Sequence, residues 1–320
     1  MRIKTHVKIK PFVLLRLIGI AMFLIVLMRV DFVKVLDVVK KASPEFFLLA
    51  IVFQILLLLI KSIRWHIMNY GKANSNVRIR NMGRFFESYA LGVITPGRLG
   101  EVVKAGHEVG LENKINSALK VVAERGFDVA IFVLIATAAF YYMNLAHVDN
   151  WLLILFIAVG LLLLISSYLI LSSVTFLQFV QRVINKLSVR LESINLNKKP
   201  ISHVRVSLIL ILSILSNFSY FISCWFLSKS VHLDLDFITI SGGVAISGLL
   251  NMLPITVAGL GTREVTFLTV FRATAESSVL AFSFMMLIVA QIGGGLIAMV
   301  LGQLFLLIDK HNSKKLKNYE

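Results

Sequence analysis

Cysteine is almost absent from this sequence, and so are the short motifs that mark most enzyme sites. The single cysteine, Cys224, lies in an apolar run and has no second cysteine with which to form a disulfide within the chain. The sequence has no Gly-x-x-x-x-Gly-Lys-Ser/Thr loop, no Gly-x-Gly-x-x-Gly turn, no His-Glu-x-x-His and no cysteine-histidine cluster with metal-ligand spacing. No serine hydrolase motif is recognisable. We therefore expect no enzyme activity, no cofactor and no bound metal.

Charge is also scarce, and most of it is of one sign. Charged residues make up 16% of the 320 residues and hydrophobic residues 58%, with a mean hydropathy of +0.84. A soluble chain has about 25% charged residues, so the surplus apolar surface is expected to face lipid. The formal net charge is +16. Because the basic residues cluster between apolar runs, we expect them to contact anionic lipid head groups at cytoplasmic loops, rather than nucleic acid.

Six segments have the roughly 20 mostly apolar residues that a membrane span needs. The first follows a basic N-terminus as in a signal peptide, but no small-residue cleavage site comes after it, so we predict a retained span. No segment between the spans is long enough for a soluble catalytic domain. The predicted spans are 11–28, 45–64, 118–143, 151–171, 206–228 and 279–308.

Two further apolar stretches, at 82–110 and 238–271, each contain a break rich in proline and glycine. A proline inside a helix removes a hydrogen-bond donor and clashes with the preceding turn, and glycine permits backbone conformations closed to other residues. We therefore predict two broken or re-entrant helices. The residues expected to form the breaks are Pro96, Gly97 and Gly100 in the first stretch, and Pro254, Gly259 and Gly261 in the second.

The charges between the spans predict how the chain is oriented. Segments rich in Lys and Arg favour the cytoplasmic side, and six crossings with two re-entrant helices place nearly all of them there. Both termini are then cytoplasmic, in the plasma membrane. The segments assigned to the cytoplasm are 1–10, 61–84, 172–205 and the C-terminal tail; those assigned to the outside are the loops 30–43, 144–150 and 229–236, of which the first carries a slight excess of basic residues against its assignment.

The order of elements repeats along the chain. Residues 1–145 contain two spans, a broken helix and a third span, and residues 150–320 contain the same order. Because three crossings per half is an odd number, the second half is predicted to be inverted relative to the first. Paired broken helices in inverted repeats are a recurring design of transporters. The alternative is a chance similarity between two breaks, since such breaks also occur in spans that transport nothing.

Charged residues inside apolar segments are costly and mark either a binding site or a structural ion pair. In the third span Glu124 and Asp128 are four residues apart and share a helix face, with Arg125 between them in the sequence. They form either a polar cluster that faces a cavity, or a set that Arg125 neutralises to hold helices together.

The two breaks carry charges that suit a phosphate. Arg98 stands at the start of the second arm, where a helix N-terminus is already electropositive, and an arginine can bind a phosphate through two hydrogen bonds. The alternative is a simple ion pair between Arg98 and Glu101, with Lys104 one turn further on. Arg263 and Glu264 have the same two interpretations in the second break.

Three segments, 95–101 (TPGRLGE), 124–128 (ERGFD) and 253–264 (LPITVAGLGTRE), carry a family resemblance. In order and spacing they resemble the signature blocks of the lysylphosphatidylglycerol synthase transmembrane (flippase-like) family, over nearly the whole chain. Val257 and Ala258 depart from the second proline and the Gly-Gly often found there. The best-known members fuse this domain to a soluble aminoacyl-transferase domain that makes aminoacylated lipid, which the membrane part flips. This sequence lacks the soluble domain, so the resemblance implies a stand-alone member that translocates lipid.

These patterns predict an all-α polytopic membrane protein that translocates an amphipathic (phospho)lipid or a lipid-linked head group across the cytoplasmic membrane. Arg98 and Arg263 are expected to hold a head-group phosphate from opposite sides, while acidic residues contact a cationic head group or balance the arginines. The predicted binding residues are Arg98, Glu101, Lys104, Glu124, Arg125, Asp128, Arg263 and Glu264.

Two other functions fit the same sequence. The chain could be a non-transporting membrane subunit that scaffolds a separate lipid- or glycan-modifying enzyme. It could also be an intramembrane transferase acting on a lipid-linked substrate, although such enzymes usually present acidic residues on a sizeable loop, which this sequence does not have. Movement of fluorescent lipids in vesicles containing only this protein separates these possibilities.

Overall fold

The structure is a computed structural model that describes residues 32–70, 75–106, 111–143, 149–187, 200–252 and 259–317. All regular secondary structure within these ranges is helical. A 3-10 turn, Pro96–Val102, leads into the fourth helix, and a π-helical segment, Leu287–Gly293, joins the last two helices. The helices are α1 (Phe32–Lys40), α2 (Pro44–Tyr70), α3 (Ser75–Ile94), α4 (Val103–Gly106), α5 (Leu111–Met143), α6 (Asn150–Ser172), α7 (Val174–Leu187), α8 (His203–Ser230), α9 (Phe237–Met252), α10 (Thr262–Val270), α11 (Glu276–Met286) and α12 (Gly294–Lys317).

Five helical segments within the described ranges are long and apolar enough to cross a membrane. The shortest has 23 residues, which at 1.5 Å per residue extends about 35 Å and exceeds a hydrocarbon core of about 30 Å. The prediction of an all-α polytopic membrane protein is therefore confirmed. The predicted span at 11–28 lies outside the described residues. The five spans are Pro44–Asn69, Asn113–Met143, Asn150–Ser172, His203–Ser230 and Glu276–Lys310.

α6 shows how the apolar surface is divided between protein and lipid. Its small residues Gly160 and Ser167 are buried, and α6 packs along α5, because small side chains let two helices approach closely. Ile154, Leu162 and Ile165 are exposed. An apolar face of this size has no partner within the described residues and is expected to face lipid.

Parts of three segments predicted as loops are helical. α1 occupies much of 30–43, and its Val35 is buried in an apolar core that also contains residues of α11. α7 occupies part of 172–205 as an amphipathic helix, which is too short and too polar for a span and was therefore predicted as a loop. α2 continues to Tyr70, so Lys61 and Arg64 are helical and buried or nearly so, rather than loop charges.

The first predicted break is present in the backbone. α3 ends at Ile94, and the turn Pro96–Val102 begins immediately after Thr95. Thr95 holds this turn together, because its Oγ1 accepts a hydrogen bond from the backbone N–H of Gly100 at 2.7 Å. The break therefore depends on a threonine side chain as well as on the proline.

Beyond the turn, the chain folds back along α3. The backbones approach so closely that a Cβ atom on Gly100 would lie 2.5 Å from the carbonyl oxygen of Leu91. Arg98 adopts a φ of 55°, in the left-handed region. Such a conformation costs a residue other than glycine about 1–3 kcal/mol and clusters at functional sites.

The second break also reverses the chain. Gly259 and Gly261 have φ angles of 76° and 88°, which favour glycine. The hydroxyl of Thr262, at the start of α10, donates a hydrogen bond to Asn251 Oδ1 near the end of α9 at 2.9 Å. The arms α9 and α10 therefore pack side by side. Pro254, which was predicted to form this break, lies outside the described residues.

Asp236 caps the start of α9. Its Oδ1 accepts a hydrogen bond from the backbone N–H of Thr239 at 2.9 Å, and its Oδ2 accepts one from the Thr239 hydroxyl at 2.6 Å, as is common at a helix N-terminus. Partial burial raises the pKa of the Asp236 carboxyl, but these hydrogen bonds outweigh the burial and hold that pKa below its usual range.

The two halves of the chain contact each other reciprocally. α2 packs along α8, and these are the second predicted spans of the two halves. The broken helix α3 packs on α12, the last helix of the second half, while the broken helix α9 packs on α5, the last helix of the first half. A pseudo-twofold axis between α2 and α8 would produce this pattern. The inverted repeat at 1–145 and 150–320 itself stays a prediction.

Two apolar cores lie along these helices. One contains Phe221 and Phe282, and the other contains Trp65 and Phe127. α2, α5 and α8 contribute residues to both cores. The charged residues described next are carried mainly by α2 and α5 and by the segment that follows α3.

Candidate functional site

Arg64 lies at the centre of a buried ion network. Its Nη1 is 2.7 Å from Asp128 Oδ1 and its Nη2 is 2.7 Å from Glu124 Oε1. Nη1 also donates a hydrogen bond to the Ser213 hydroxyl of α8 at 2.8 Å. One guanidinium on α2 thus binds two carboxylates of α5, those of Glu124 and Asp128, and touches a third helix, which is a geometry that the planar donors of arginine favour.

Lys104 completes the neutralisation of Glu124. Its ammonium donates a short hydrogen bond to Glu124 Oε2 and lies 4.4 Å from the ring centroid of Trp65, a cation–π distance. The side chain is buried. Each oxygen of Glu124 therefore has one cationic partner, Arg64 on one side and Lys104 on the other.

Glu101 is shared among three cations. Arg125 Nη2 lies 2.6 Å from Glu101 Oε2, while Arg98 Nη1 lies 3.7 Å from Oε1 and Lys104 Nζ lies 3.9 Å from Oε2. Only the first distance is short enough for a hydrogen bond. Glu101 is almost fully buried, whereas the side chains of Arg98 and Arg125 are 30% and 27% exposed. These two arginines therefore lie at the open edge of the network.

Asp128 receives further donors from α2 and α8. Lys61 Nζ lies 2.9 Å from its Oδ2, and the Asn217 side-chain amide donates to its Oδ1 at 2.9 Å. Asn217 also bonds the Ser213 carbonyl at 2.8 Å. With Arg64, Asp128 has cationic or amide partners on both oxygens and is not available as a free acceptor.

A cavity of about 290 Å³ opens beside this network. Its wall carries both charged and apolar side chains, with Leu57 one helical turn from Lys61 on α2 and Phe132 about two turns from Arg125 on α5. Along α5, the distance from Arg125 to Phe132 is about 10 Å at 1.5 Å per residue. Both halves of the chain line the cavity. Its polar lining residues are Lys61, Tyr89, Arg98, Glu101, Arg125, Asp128, Asn217, Tyr220, Asn251 and Gln291.

The structure brings most of the predicted binding residues together. The six predicted in the first half form one network, with Lys61 and Arg64. The interpretation in which Arg125 neutralises Glu124 and Asp128 is wrong, because Arg64, Lys104 and Lys61 pair with those acids. The six are Arg98, Glu101, Lys104, Glu124, Arg125 and Asp128.

Arg263 and Glu264 lie apart from the cavity wall. Arg263 Nη2 lies 2.9 Å from Glu264 Oε1, and its Nε donates to the Ser283 hydroxyl at 2.8 Å. Glu264 Oε2 accepts a hydrogen bond from the backbone N–H of Gly261 at 2.6 Å and caps α10. Neither charge lines the cavity. From the sequence we expected Arg263 to lie opposite Arg98 across the cavity. The structure does not place it there.

Lys61 and Arg64 are the site residues that the sequence analysis missed. They ended a predicted span and were counted as charges of the following loop. A signal was present, because the two are three residues apart and so share a helix face, next to an apolar run that can extend the helix. Among the described residues, no three His, Cys, Asp or Glu side chains are grouped so that they could hold a metal ion.

Comparison with known proteins identifies the family. Residues 13–298 match the family described as the lysylphosphatidylglycerol synthase TM region. No curated protein matches the chain. The match covers most of the chain and includes four of the five described spans in full and the fifth as far as residue 298, near the start of α12. The chain therefore belongs to the family of the lysylphosphatidylglycerol synthase transmembrane region.

Proposed function

We propose that this protein translocates an amphipathic phospholipid or lipid-linked head group across the cytoplasmic membrane, without itself catalysing a covalent step. The observation that carries the proposal is the cavity lined by both halves, whose wall holds the cations Lys61, Arg98 and Arg125 together with apolar side chains such as Leu57, Val129 and Phe132. Charged residues within membrane-spanning helices are expensive and mark substrate pathways. A cavity with both kinds of wall suits a molecule with a polar head and an apolar tail.

The broken helices support this proposal. Transporters often place substrate sites where discontinuous helices of two repeats meet. Here the break after α3 supplies Arg98 and Glu101 to the cavity, and α9 supplies Asn251 and Met252 from the end next to the second break. The reciprocal packing of α3 on α12 and of α9 on α5 would let one half rock against the other around the site.

We also propose that both termini face the cytoplasm, where basic segments contact anionic lipid. In this orientation the loop 229–236 is outside, and Asp234 on it is exposed and pairs with Lys229. The hydrogen bond from Lys229 and its charge hold the pKa of the Asp234 carboxyl below its usual range. The preference of basic loops for the cytoplasmic side supports the assignment.

Reconstitution into vesicles tests the function. Purified protein is inserted into vesicles that contain a phospholipid labelled with a fluorescent group, and dithionite reduces the label in the outer leaflet only. Translocation should raise the reducible fraction from about half toward completeness, and vesicles with Arg98→Gln protein should stay near the protein-free level. Movement no faster than in protein-free vesicles, for every phospholipid class tried, would contradict the proposal and favour a scaffolding subunit.

A further inference from the structure

The ion network separates into an inner part that is neutral and a cavity-facing part that is not. In the inner part, Arg64 and Lys104 pair with Glu124 and Asp128 at hydrogen-bond distances. Arg64 and Lys104 are buried, with side chains only 1% exposed. Two cations against two carboxylates leave no formal charge, so this part needs nothing from a ligand.

The cavity-facing part carries an excess of positive charge. Lys61, Arg98 and Arg125 line the cavity, and Glu101 lies among them, with Lys104 of the inner part 3.9 Å away. Asp128 also lines the cavity, but Arg64, Lys61 and Asn217 already bind it. Among the side chains that the structure describes, the whole network has five cations and three carboxylates, an excess of two positive charges.

The donors of the two exposed arginines are not fully used. Arg98 Nη1 is 3.7 Å from Glu101, beyond hydrogen-bond distance. Arg125 Nη2 lies 2.6 Å from Glu101 Oε2, yet it has no hydrogen bond of good geometry within the described residues. Both arginines line the cavity and have donors beyond those that face Glu101, and arginine binds phosphate oxygens through paired hydrogen bonds.

We propose that the cavity binds a phosphate monoester in its dianionic form, held by Arg98, Arg125 and Lys61. A dianion balances the two excess charges, whereas a phosphodiester, with one negative charge, leaves one of them unbalanced in a low-dielectric site. The cavity of about 290 Å³ lies near the lower limit of ligand pockets, about 300–1,000 Å³, and so favours a small head group. The inference rests on the proposed function only in taking the monoester to be a lipid.

Equilibrium binding in neutral detergent tests the charge of the ligand. The probes are dioleoyl phosphatidic acid, a monoester, and dioleoyl phosphatidylglycerol, a diester. At pH 7.5 the monoester should bind at least about tenfold more tightly, and because its second proton leaves near pH 6, its advantage should shrink toward one at about pH 5. The diester arm controls for titration of the protein itself. The titratable or charged groups that face the cavity are Lys61, Tyr89, Arg98, Glu101, Arg125, Asp128 and Tyr220.

Two variants with opposite charge changes separate binding from folding. Arg98→Gln removes one positive charge from the wall and should weaken phosphatidic acid binding at least about tenfold. Glu101→Gln removes the competing carboxylate and should strengthen it, about threefold or more. Arg182→Gln removes an exposed arginine of α7 that does not line the cavity, and the affinity of this variant for phosphatidic acid should equal that of the wild type. Misfolding cannot produce opposite effects at Arg98 and Glu101.

Inorganic phosphate distinguishes the two sources of a dianion. Displacement of phosphatidic acid by inorganic phosphate at comparable concentrations assigns the site to free phosphate, and failure to displace it assigns the site to a lipid. Equal affinities for monoester and diester at pH 7.5, or a ratio that does not change with pH, would overturn the inference. Translocation in vesicles without a preference for the monoester would contradict only this inference. A clear preference for the monoester without translocation would contradict only the proposed function.

Discussion

Arg64 Nη1 on α2 lies 2.7 Å from Asp128 Oδ1 on α5, and both side chains are almost completely buried. An unpaired charge at this depth would be costly, so the contact fixes how the two helices align. Arg125, which lines the cavity, is on the same helix as Asp128 and next to Glu124, the other partner of Arg64. The buried pair thereby positions the exposed arginine.

Replacing Arg64 by glutamine should destabilise the protein strongly. Glu124 and Asp128 would lose a shared partner, and breaking a buried ion pair costs about 3–5 kcal/mol. Thermal unfolding in detergent measures this as a lower Tm. Arg182→Gln removes the same type of charge from an exposed position on α7 and should leave the Tm unchanged. If Arg64→Gln has the same Tm as the wild type, the network does not hold the helices together.

Alanine at Gly100 should disturb the first break. The added methyl group would lie 2.5 Å from the carbonyl of Leu91, and overpacking of this kind costs about 1–3 kcal/mol. Gly106→Ala is the matched control, because nothing lies within 4 Å of its added methyl group. Tm and lipid translocation should fall in Gly100→Ala and should stay at the wild-type level in Gly106→Ala. Identical behaviour of the two variants would mean that close packing on α3 is unimportant.

Arg263 should matter for folding rather than for substrate. Its contacts are Glu264 and Ser283, away from the cavity wall. Arg263→Gln should lower the Tm, whereas translocation per folded molecule should stay near the wild-type rate. Arg98→Gln should leave the Tm near the wild-type value but reduce translocation, because Arg98 is partly exposed and faces the cavity. A stable Arg263→Gln protein that does not translocate lipid would show that Arg263 contributes to substrate binding.

Thiol labelling in intact cells tests the predicted orientation. In a Cys224→Ser background, single cysteines on the outer face should react with an impermeant reagent, and those on the cytoplasmic face should not. The native Cys224 is buried, so its replacement by serine removes only a minor background. Labelling of a cysteine at Asn195 from outside would contradict the inverted arrangement. The outer positions are Asn150 and Asp234, and the cytoplasmic positions are Asn76, Asn195 and Ser313.

Hydropathy found the spans well because a membrane span is a local property of the chain. About 20 apolar residues are detectable without knowing what they contact. The same criterion of about 20 apolar residues did not detect α1 and α7, which are short and amphipathic. It also ended the second span at Arg64, although the helix continues to Tyr70. A charge inside a span is acceptable only when another helix supplies a partner, and the partner is not visible in the local sequence.

By itself, the sequence determined that this is an α-helical membrane protein of the lysylphosphatidylglycerol synthase transmembrane family, with its first helix break at Thr95–Pro96. It also indicated which charges cluster in the first half, because residues on one helix turn or at one break are close in any fold. Only the tertiary structure decided how those charges pair. Arg64 replaced Arg125 as the partner of Glu124 and Asp128, and Arg263 was separated from the cavity. The physical reason is that ion pairing depends on distances of a few ångströms between side chains on different helices, and helix packing alone sets these distances.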